Sequence, residues 1–306
     1  MRIIFFGTPD FAIPSLQRIY SSDDHTIEAV VTNRDKRRGR GSGTRPTPIK
    51  KKALELGLPV IEAGDDLSDK DFFEQLKTYE VDLYVVVAFR ILPEEILELP
   101  EQGAVNLHAS LLPKYRGAAP IHWAIMNGES KTGCTVFFID PVVDTGDIIK
   151  QKETDIGPNE TTGEVYGRLK EMGGDLLVEA IDEVAADTVQ PIPQDDRQAT
   201  KAPKLDKQDC RIDFNQPAGE VHNKIRGLSP IPTAWTTVDD KRLNLYKSHV
   251  GPDQSLSPGQ FTSWNGELIA GCGRGTVILD QVQPEGSKRI SGSDFLNGYQ
   301  SDGVFE

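Results

Sequence analysis

Cysteine is scarce in this chain: Cys134, Cys210 and Cys272 are scattered over 306 residues with no C-x-x-C spacing. An odd, dispersed set argues against a disulfide framework or a zinc site and fits a reducing compartment, so a cytoplasmic protein without a metal is expected. Long apolar runs are missing too. The opening Met1-Arg2-Ile3-Ile4-Phe5-Phe6-Gly7 is too short for a signal-peptide core, and no later stretch approaches the roughly 20 apolar residues that cross a bilayer. No membrane partner is expected. Basic charge is in deficit, 34 Lys and Arg against 47 Asp and Glu for a net charge of −13, which excludes a uniformly basic nucleic-acid coat. A polyanion has to be met by a local patch. Finally, the first strand-like run ends in Gly7-Thr8-Pro9-Asp10-Phe11, with one glycine where a dinucleotide fingerprint has three, and this disfavours a nicotinamide cofactor.

What the chain does contain is enough apolar residue, 37%, to bury sizeable cores, and its length suggests about two domains. Short β-branched or aromatic runs at residues 3–6, 27–31, 81–88, 104–107 and 134–139 predict buried strands. Helical spacing is expected at 11–21, 49–58, 69–79, 121–127 and 162–184. Such alternation implies an α/β fold with a parallel, doubly wound sheet. After Asp187 the polar, proline-bearing tract Pro191, Pro193, Gln194, Asp195 and Asp196 reads as a linker. Beyond it, strand-like pieces at 234–238, 243–246, 268–271 and 276–279 alternate with turn signals, which predicts a small β-barrel. The expected organisation is therefore a domain over 1–187, a linker over 188–206 and a second domain over 207–306.

Residues 201–306 carry 12 basic and 13 acidic side chains, so the acidic excess lies before them. Within that acidic part, residues 33–52 hold Arg34, Lys36, Arg37, Arg38, Arg40, Arg45, Lys50, Lys51 and Lys52 against Asp35 alone. Gly39, Gly41, Gly43, Pro46 and Pro48 prevent one continuous helix, which predicts a basic loop after the second strand. A solvated charge run is the plain explanation. Contact with a phosphate backbone is favoured by the contrast with the acidic surroundings.

In open parallel sheets, ligands sit beyond the carboxyl ends of the strands. There the chain reads Asn106-Leu107-His108-Ala109-Ser110-Leu111-Leu112-Pro113-Lys114-Tyr115-Arg116-Gly117, and Asn106 and His108, two apart, share one side of an extended segment. A further strand leads through Asp140 to Asp144-Thr145-Gly146-Asp147. If that loop closes over the same strand ends, an amide, an imidazole and a carboxylate share one pocket. Such a trio suits transfer of an acyl group to an amine, where an oxyanion develops and the attacking amine loses a proton. Asn106 and a protonated His108 can donate to the oxyanion, and Asp144 can pair with the imidazolium and relay the amine proton. Each also has a plain explanation: Asn106 as a turn cap, His108 as a core histidine, Asp144 as the start of an Asx-turn. Arg116 is equally open, as a structural fork or a substrate contact.

The stretch from His108 through Gly117 to Ala118-Ala119-Pro120, followed by Asp144-Thr145-Gly146-Asp147, resembles the signature of the formyltransferase superfamily. Phe6-Gly7-Thr8-Pro9-Asp10-Phe11, Pro46-Thr47-Pro48-Ile49-Lys50, Ile225-Arg226-Gly227-Leu228-Ser229-Pro230 and Ala234-Trp235 are similar to methionyl-tRNA formyltransferases in particular. The likeness covers almost the full chain. It implies a Rossmann-like formyltransferase domain followed by an OB-like barrel that helps to hold tRNA, and formyl transfer from 10-formyltetrahydrofolate to the amino group of methionyl-initiator-tRNA. It also implies that Asn106, His108 and Asp144 are catalytic. The folate contacts it implies are Phe89, Arg90, Ile91 and Leu92, with Ser110, Leu111, Leu112, Pro113, Ile139, Asp140 and Val143 opposite. Charged initiator tRNA would meet Arg34, Lys36, Arg37, Arg38, Arg40 and Arg45, and the enzyme is expected to act as a monomer. One departure stands out: Phe89-Arg90-Ile91-Leu92-Pro93 is a residue shorter than the corresponding Tyr-Gly-x-Ile-Leu-Pro-like stretch and looks more like its counterpart in glycinamide ribonucleotide formyltransferases.

Three other functions compete. Formyl transfer to an amino sugar on a nucleotide uses related enzymes with both domains, but such an acceptor needs few cations. Glycinamide ribonucleotide formyltransferases resemble the first domain alone, which leaves residues 204–306 unexplained. A non-enzymatic RNA-binding or folate-sensing protein has no need of Asn106, His108 and Asp144 together.

Overall fold

The computed structural model describes residues 1–37 and 44–306, the side chains of Lys36 and Arg37 excepted. The chain forms two compact units, each built from several stretches. The first comprises Met1–Gly117, Gly133–Glu153 and Gly167–Lys201; the second comprises Ala118–Thr132, Thr154–Tyr166 and Ala202–Glu306. No helix among the described residues is long and apolar enough to cross a membrane.

A seven-stranded sheet organises the first unit. Its strands are β1 (Arg2–Gly7), β2 (Thr26–Asn33), β3 (Val60–Ala63), β4 (Leu83–Val87), β5 (Ala104–His108), β6 (Lys131–Phe138) and β7 (Ile148–Asp155), in the order β3-β2-β1-β4-β5-β6-β7. Ile3, Ile4, Phe5 and Phe6 are all fully buried, because a parallel strand covered on both faces needs an unbroken apolar run rather than alternation. The pairs from β3 through β5 are parallel. The strand expected at 134–139, however, runs antiparallel to β5, with Val105 opposite Phe138 and His108 opposite Thr135. The doubly wound, Rossmann-like sheet holds, and only the parallel direction expected of this strand is corrected. Strand–helix alternation carries no sign of strand direction, and a helix separates β5 from β6 just as it would in a parallel crossover. β3 and β7 add two strands that the apolar pattern does not mark. In β7 only Ile148 and Ile149 are buried, and the polar remainder of this sheet-edge strand offers no apolar run.

Helix starts follow local chemistry. The first helical segment opens as a 3₁₀ turn at Asp10–Ala12, and α1 (Ile13–Tyr20) carries Pro14 in its first turn, where a missing N–H costs nothing. α2 (Pro48–Glu55) is capped by Thr47, whose hydroxyl accepts from the Lys50 N–H at 3.1 Å. α3 (Lys70–Lys77) is capped by Asp69, and α4 (Glu94–Leu97) is a short turn after β4. The long α6 (Thr162–Ala185) passes close over β5 because Gly173 has no side chain: a Cβ there would sit 2.9 Å from Leu107. α3 covers one sheet face, where Phe72 and Leu76 pack with Ile4, Phe6, Val31 and Tyr84.

The second unit is built on an antiparallel, barrel-like sheet with α5 (Pro120–Met126), α7 (Ala218–Gly227) and α8 (Gly292–Gly298). Its strands are β8 (Ala234–Val238), β9 (Lys241–Val250), β10 (Gln260–Trp264), β11 (Glu267–Gly271), β12 (Thr276–Pro284) and β13 (Gly303–Val304), in the order β8-β9-β12-β11-β10-β13. Three aromatic rings centre the core: Phe305 stacks on Phe261 at 4.3 Å and on Phe214 at 5.4 Å. The motif at 225–230 has a structural use here. Buried Arg226 donates to the carbonyls of Gly157 and Glu160 and to Asn223 Oδ1, tying the loop before α6 to α7.

Candidate active site

Asn106 and His108 lie on β5, the last parallel strand, and their i, i+2 spacing puts them on one face at its carboxyl end. Asn106 is half-buried and its amide has no hydrogen-bond partner among the described residues. His108 is buried, and its Nε2 lies 2.9 Å from the carbonyl oxygen of Tyr115. A carbonyl only accepts, so Nε2 carries a proton and donates it there. The other ring nitrogen, Nδ1, faces Asp144 Oδ2 at 3.8 Å, with both side chains less than a tenth exposed. The separation makes this a charge contact rather than a direct hydrogen bond.

Backbone constraints hold both partners. Tyr115 and Asp144 occupy the left-handed region at φ of 62° and 57°, which non-glycine residues adopt only where their surroundings fix them. Gly117, at φ 124°, donates its N–H to Asp144 Oδ2 at 2.8 Å. Gly146 is required by space, since a Cβ there would lie 1.8 Å from the Phe138 carbonyl oxygen. The loop from Ser110 to Gly117, with a cis peptide at Leu112-Pro113, is stapled by residues that sequence reasoning missed. Thr135 Oγ1 donates to Ser110 O at 2.7 Å and accepts from the Leu112 N–H at 3.1 Å, while Gln151 Nε2 donates to Leu112 O at 2.8 Å. A threonine and a glutamine on predicted or edge strands carry no motif, so no sequence signal points to them. Cys134 on β6 supplies no nucleophile: burial pushes its thiol up to about 12.

The other expected site residues divide. Phe89 sets its ring edge on Phe6 at 5.6 Å, and Leu92 is buried in the core beside α3. Ile91 is 70% exposed. Arg90 donates from Nη1 to Asp65 O at 3.0 Å and lies over the Phe89 ring, yet its buried Nε and Nη2 have no hydrogen-bond partner among the described residues. Burial lowers its pKa, so the charge sits in a partly desolvated position with donors unused. Ser110 and Leu112 are buried, Leu111, Pro113 and Ile139 are half-buried, and Asp140 and Val143 are exposed. Arg116 resolves towards a structural contact, since its guanidinium donates to Gln194 Oε1 and to Asp196 Oδ1.

The basic segment is less uniform than its composition. Lys36–Arg37 pairs with Thr44–Arg45 as a two-stranded ribbon, Arg34 and Arg45 are exposed, and Arg38 and Arg40 lie outside the described residues. Lys50, by contrast, is bound by Asp35 at 2.8 Å and Glu62 at 2.6 Å, which raise its pKa, and Lys51 and Lys52 pair with Glu55. Lys50 is thus neutralised within the fold, while Lys51 and Lys52 share one carboxylate. On the second unit, the Trp235 ring lies under two guanidiniums, Arg242 at 4.8 Å and Arg211 at 5.7 Å, and Arg289 covers Tyr246 at 3.6 Å. Trp235 is opposite Asn244 across the β8–β9 pair, and Asn244 is opposite Gln283 on β12, so cations, rings and amides share one outer sheet face.

An amide and an imidazole share one strand end with a carboxylate from the neighbouring loop, and the chain as a whole belongs to the formyl transferases. Residues 1–181 match the family described as formyl transferase, and residues 204–300 match the formyl transferase C-terminal domain. Within that class the chain belongs to the methionyl-tRNA formyltransferase family. It is 45% identical over 302 residues to the methionyl-tRNA formyltransferase of Moorella thermoacetica, covering 98% of this chain and 96% of that one. The Clostridium novyi enzyme of the same name is 41% identical over 301 residues, with 97% of each covered. In fold, the chain is similar to a Helicobacter canadensis N-formyltransferase crystallised with folinic acid and dTDP-3-aminofucose, with a TM-score of 0.67 at 21% identity over 92% of this chain and 98% of that one.

Proposed function

We propose that this protein transfers the formyl group of 10-formyltetrahydrofolate to the amino group of methionyl-initiator-tRNA in the cytoplasm, giving the formylmethionyl-tRNA used to start translation. The observation that carries the catalytic assignment is the orientation of His108, whose Nε2–H is committed to Tyr115 O so that Nδ1 faces Asp144, two residues along β5 from an Asn106 amide with no hydrogen-bond partner among the described residues. The methionyl nitrogen attacks the formyl carbon, and the resulting oxyanion accepts from the Asn106 amide and from Nδ1–H of protonated His108. Asp144 takes the amine proton and passes it to the folate N10 as the carbon–nitrogen bond to the folate breaks, so that the proton lost by the amine is the one the leaving nitrogen gains. Asn106, His108 and Asp144 are thus the catalytic residues of this reading. No covalent enzyme intermediate is needed.

The folate lies against the segment from Phe89 to Leu92, with Ser110, Leu111, Leu112, Pro113, Ile139, Asp140 and Val143 opposite. Exposed Ile91 and the two unused Arg90 donors support ligand contact there. The tRNA backbone meets the basic ribbon around Arg34 and Arg45 and the Arg211–Trp235–Arg242 face of the second unit. Guanidiniums stacked on the ring keep their charge for phosphate oxygens. The deciding experiment compares acceptors: release of tetrahydrofolate from the formyl donor requires charged initiator tRNA. Equal turnover with an amino-sugar nucleotide would sink the acceptor assignment.

A further inference from the structure

We infer that Gln194, in the tract that reads as a linker, is a positioning residue for the Asp144 carboxylate. The inference rests on the reading of Asp144 as catalytic. The tract is fastened where it passes the site, since Ile192 and Ile148 exchange both backbone hydrogen bonds at 2.9 Å, and further on the Arg116 and Tyr115 N–H groups donate to Thr200. Between these anchors the Gln194 amide is fully used. Its Nε2 donates to the carbonyls of Asp144 at 3.0 Å and Gly146 at 2.8 Å, and its Oε1 accepts from Arg116 Nε at 3.1 Å and Nη2 at 2.8 Å.

These contacts fall at both ends of one link. Asp144 accepts the Gly117 N–H, Arg116 is the residue before Gly117, and Gln194 holds the backbone of the first and the side chain of the second. Asp144 needs this support because its φ of 57° is costly for a residue with a side chain and persists only where neighbours fix it. No other side chain among the described residues donates to its carbonyl. Removing the amide leaves two carbonyls without a donor and frees the backbone that aims the carboxylate at His108 Nδ1, 3.8 Å away. A misplacement of about 1 Å at such a contact costs about a hundredfold in rate without loss of the fold.

The test uses Gln194→Ala and Gln194→Glu in the full chain, assayed with charged initiator tRNA. The second variant keeps acceptors for Arg116 but turns oxygen lone pairs onto the two carbonyls. Both lower kcat about tenfold to a hundredfold while KM for 10-formyltetrahydrofolate stays within about twofold. Adding Gln194→Ala to Asp144→Asn produces no further drop in kcat, because both changes act through one carboxylate. Near-UV circular dichroism and donor affinity match the parent. Parental kcat in both Gln194 variants, a change in KM or melting temperature alone, or losses that multiply in the double variant would overturn the inference. If Asp144→Asn itself keeps parental kcat, the catalytic reading of Asp144 fails and this inference with it; if Asp144→Asn is inactive and the Gln194 variants are parental, the positioning role alone fails.

Discussion

The backbone N–H of Gly117 donates to Asp144 Oδ2 at 2.8 Å, so the loop that follows β5 and the loop that follows β6 lock each other. The link occupies one carboxylate oxygen with a neutral donor, and the same oxygen faces His108 Nδ1. The carboxylate therefore has a fixed direction whether or not the imidazole is charged.

Gly117→Ala tests that lock. At φ 124° an alanine is strained by about 1–3 kcal/mol, and the strain is relieved by rotating the peptide whose N–H holds Asp144. The variant is expected to melt a few degrees lower and to lose at least about tenfold in kcat with little change in donor KM. Parallel thermal melts and steady-state kinetics check it. A variant that melts lower at parental kcat would show that the N–H contact is not used in turnover.

Asn106→Ala removes the proposed oxyanion donor, and loss of such a preorganised donor typically costs about two to three powers of ten in kcat, with folate affinity nearly unchanged. Asp144→Asn keeps the shape of the Gly117 link but removes the charge facing His108, and turnover should collapse while the fold persists. Measured kcat against pH for Asp144→Asn settles the coupling: retained activity with the parental profile contradicts it.

The sequence carries much of this arrangement, but unevenly. β4 and residues 3–6 of β1 are unbroken apolar runs because both faces of a parallel strand are covered, and Asn106 and His108 are placed on one side of β5 by period alone. Strand direction at β6 leaves no trace in composition, and β7 hides behind its exposed face. The proposed catalytic trio is marked by its neighbours, since Gly117 and Gly146 each answer a backbone demand. The staples are not. Thr135, Gln151 and Gln194 are polar residues whose value lies in which carbonyl they reach, and a contact across dozens of residues has no local signature. Lys50 shows the converse error, a cation counted towards RNA whose charge Asp35 and Glu62 consume.

Stability should depend on pH through His222. Its Nε2–H donates to Pro158 O at 2.9 Å, its Nδ1 lies 3.0 Å from the Ser248 hydroxyl, and burial first, with the charges of Arg226 and His249, holds its pKa below 6.5. His122 is lowered in the same direction. A histidine depressed on folding takes up its proton more readily in the unfolded chain. Its contribution is therefore complete above the ordinary value of 6.5 and is lost as pH falls through 6.5 towards the folded value. Glu164 and Asp213, also lowered, act only in the more acidic window below their ordinary 4.5 and 3.8. Denaturant unfolding between about pH 7.5 and 5 should show the decline, and His222→Gln should flatten it. An equal slope in the variant assigns the dependence to other groups.

Salt separates a tRNA acceptor from a small one, and the two cationic surfaces can be tested apart. Removing a cation that neutralises one phosphate should reduce the salt slope of tRNA binding by about one unit, because fewer counterions are released. Arg34 and Arg45 are exposed on the first unit, while Arg211 and Arg242 flank Trp235 on the second. Arg34→Ala with Arg45→Ala, and separately Arg211→Ala with Arg242→Ala, should each raise KM for charged tRNA and flatten its salt dependence, leaving KM for 10-formyltetrahydrofolate unchanged. The first pair should alter stability by no more than about 0.5 kcal/mol, as surface substitutions usually do. The second removes two cation–π contacts, each worth about 0.5–1 kcal/mol where exposed, so a small drop in melting temperature is expected and Arg242→Lys should restore part of it. A sugar-nucleotide acceptor engages few of these cations and predicts unchanged kinetics at both low and high salt in both double variants. Altered salt response in the first pair alone confines the RNA to the basic ribbon, and altered response in the second pair alone moves it to the Trp235 face.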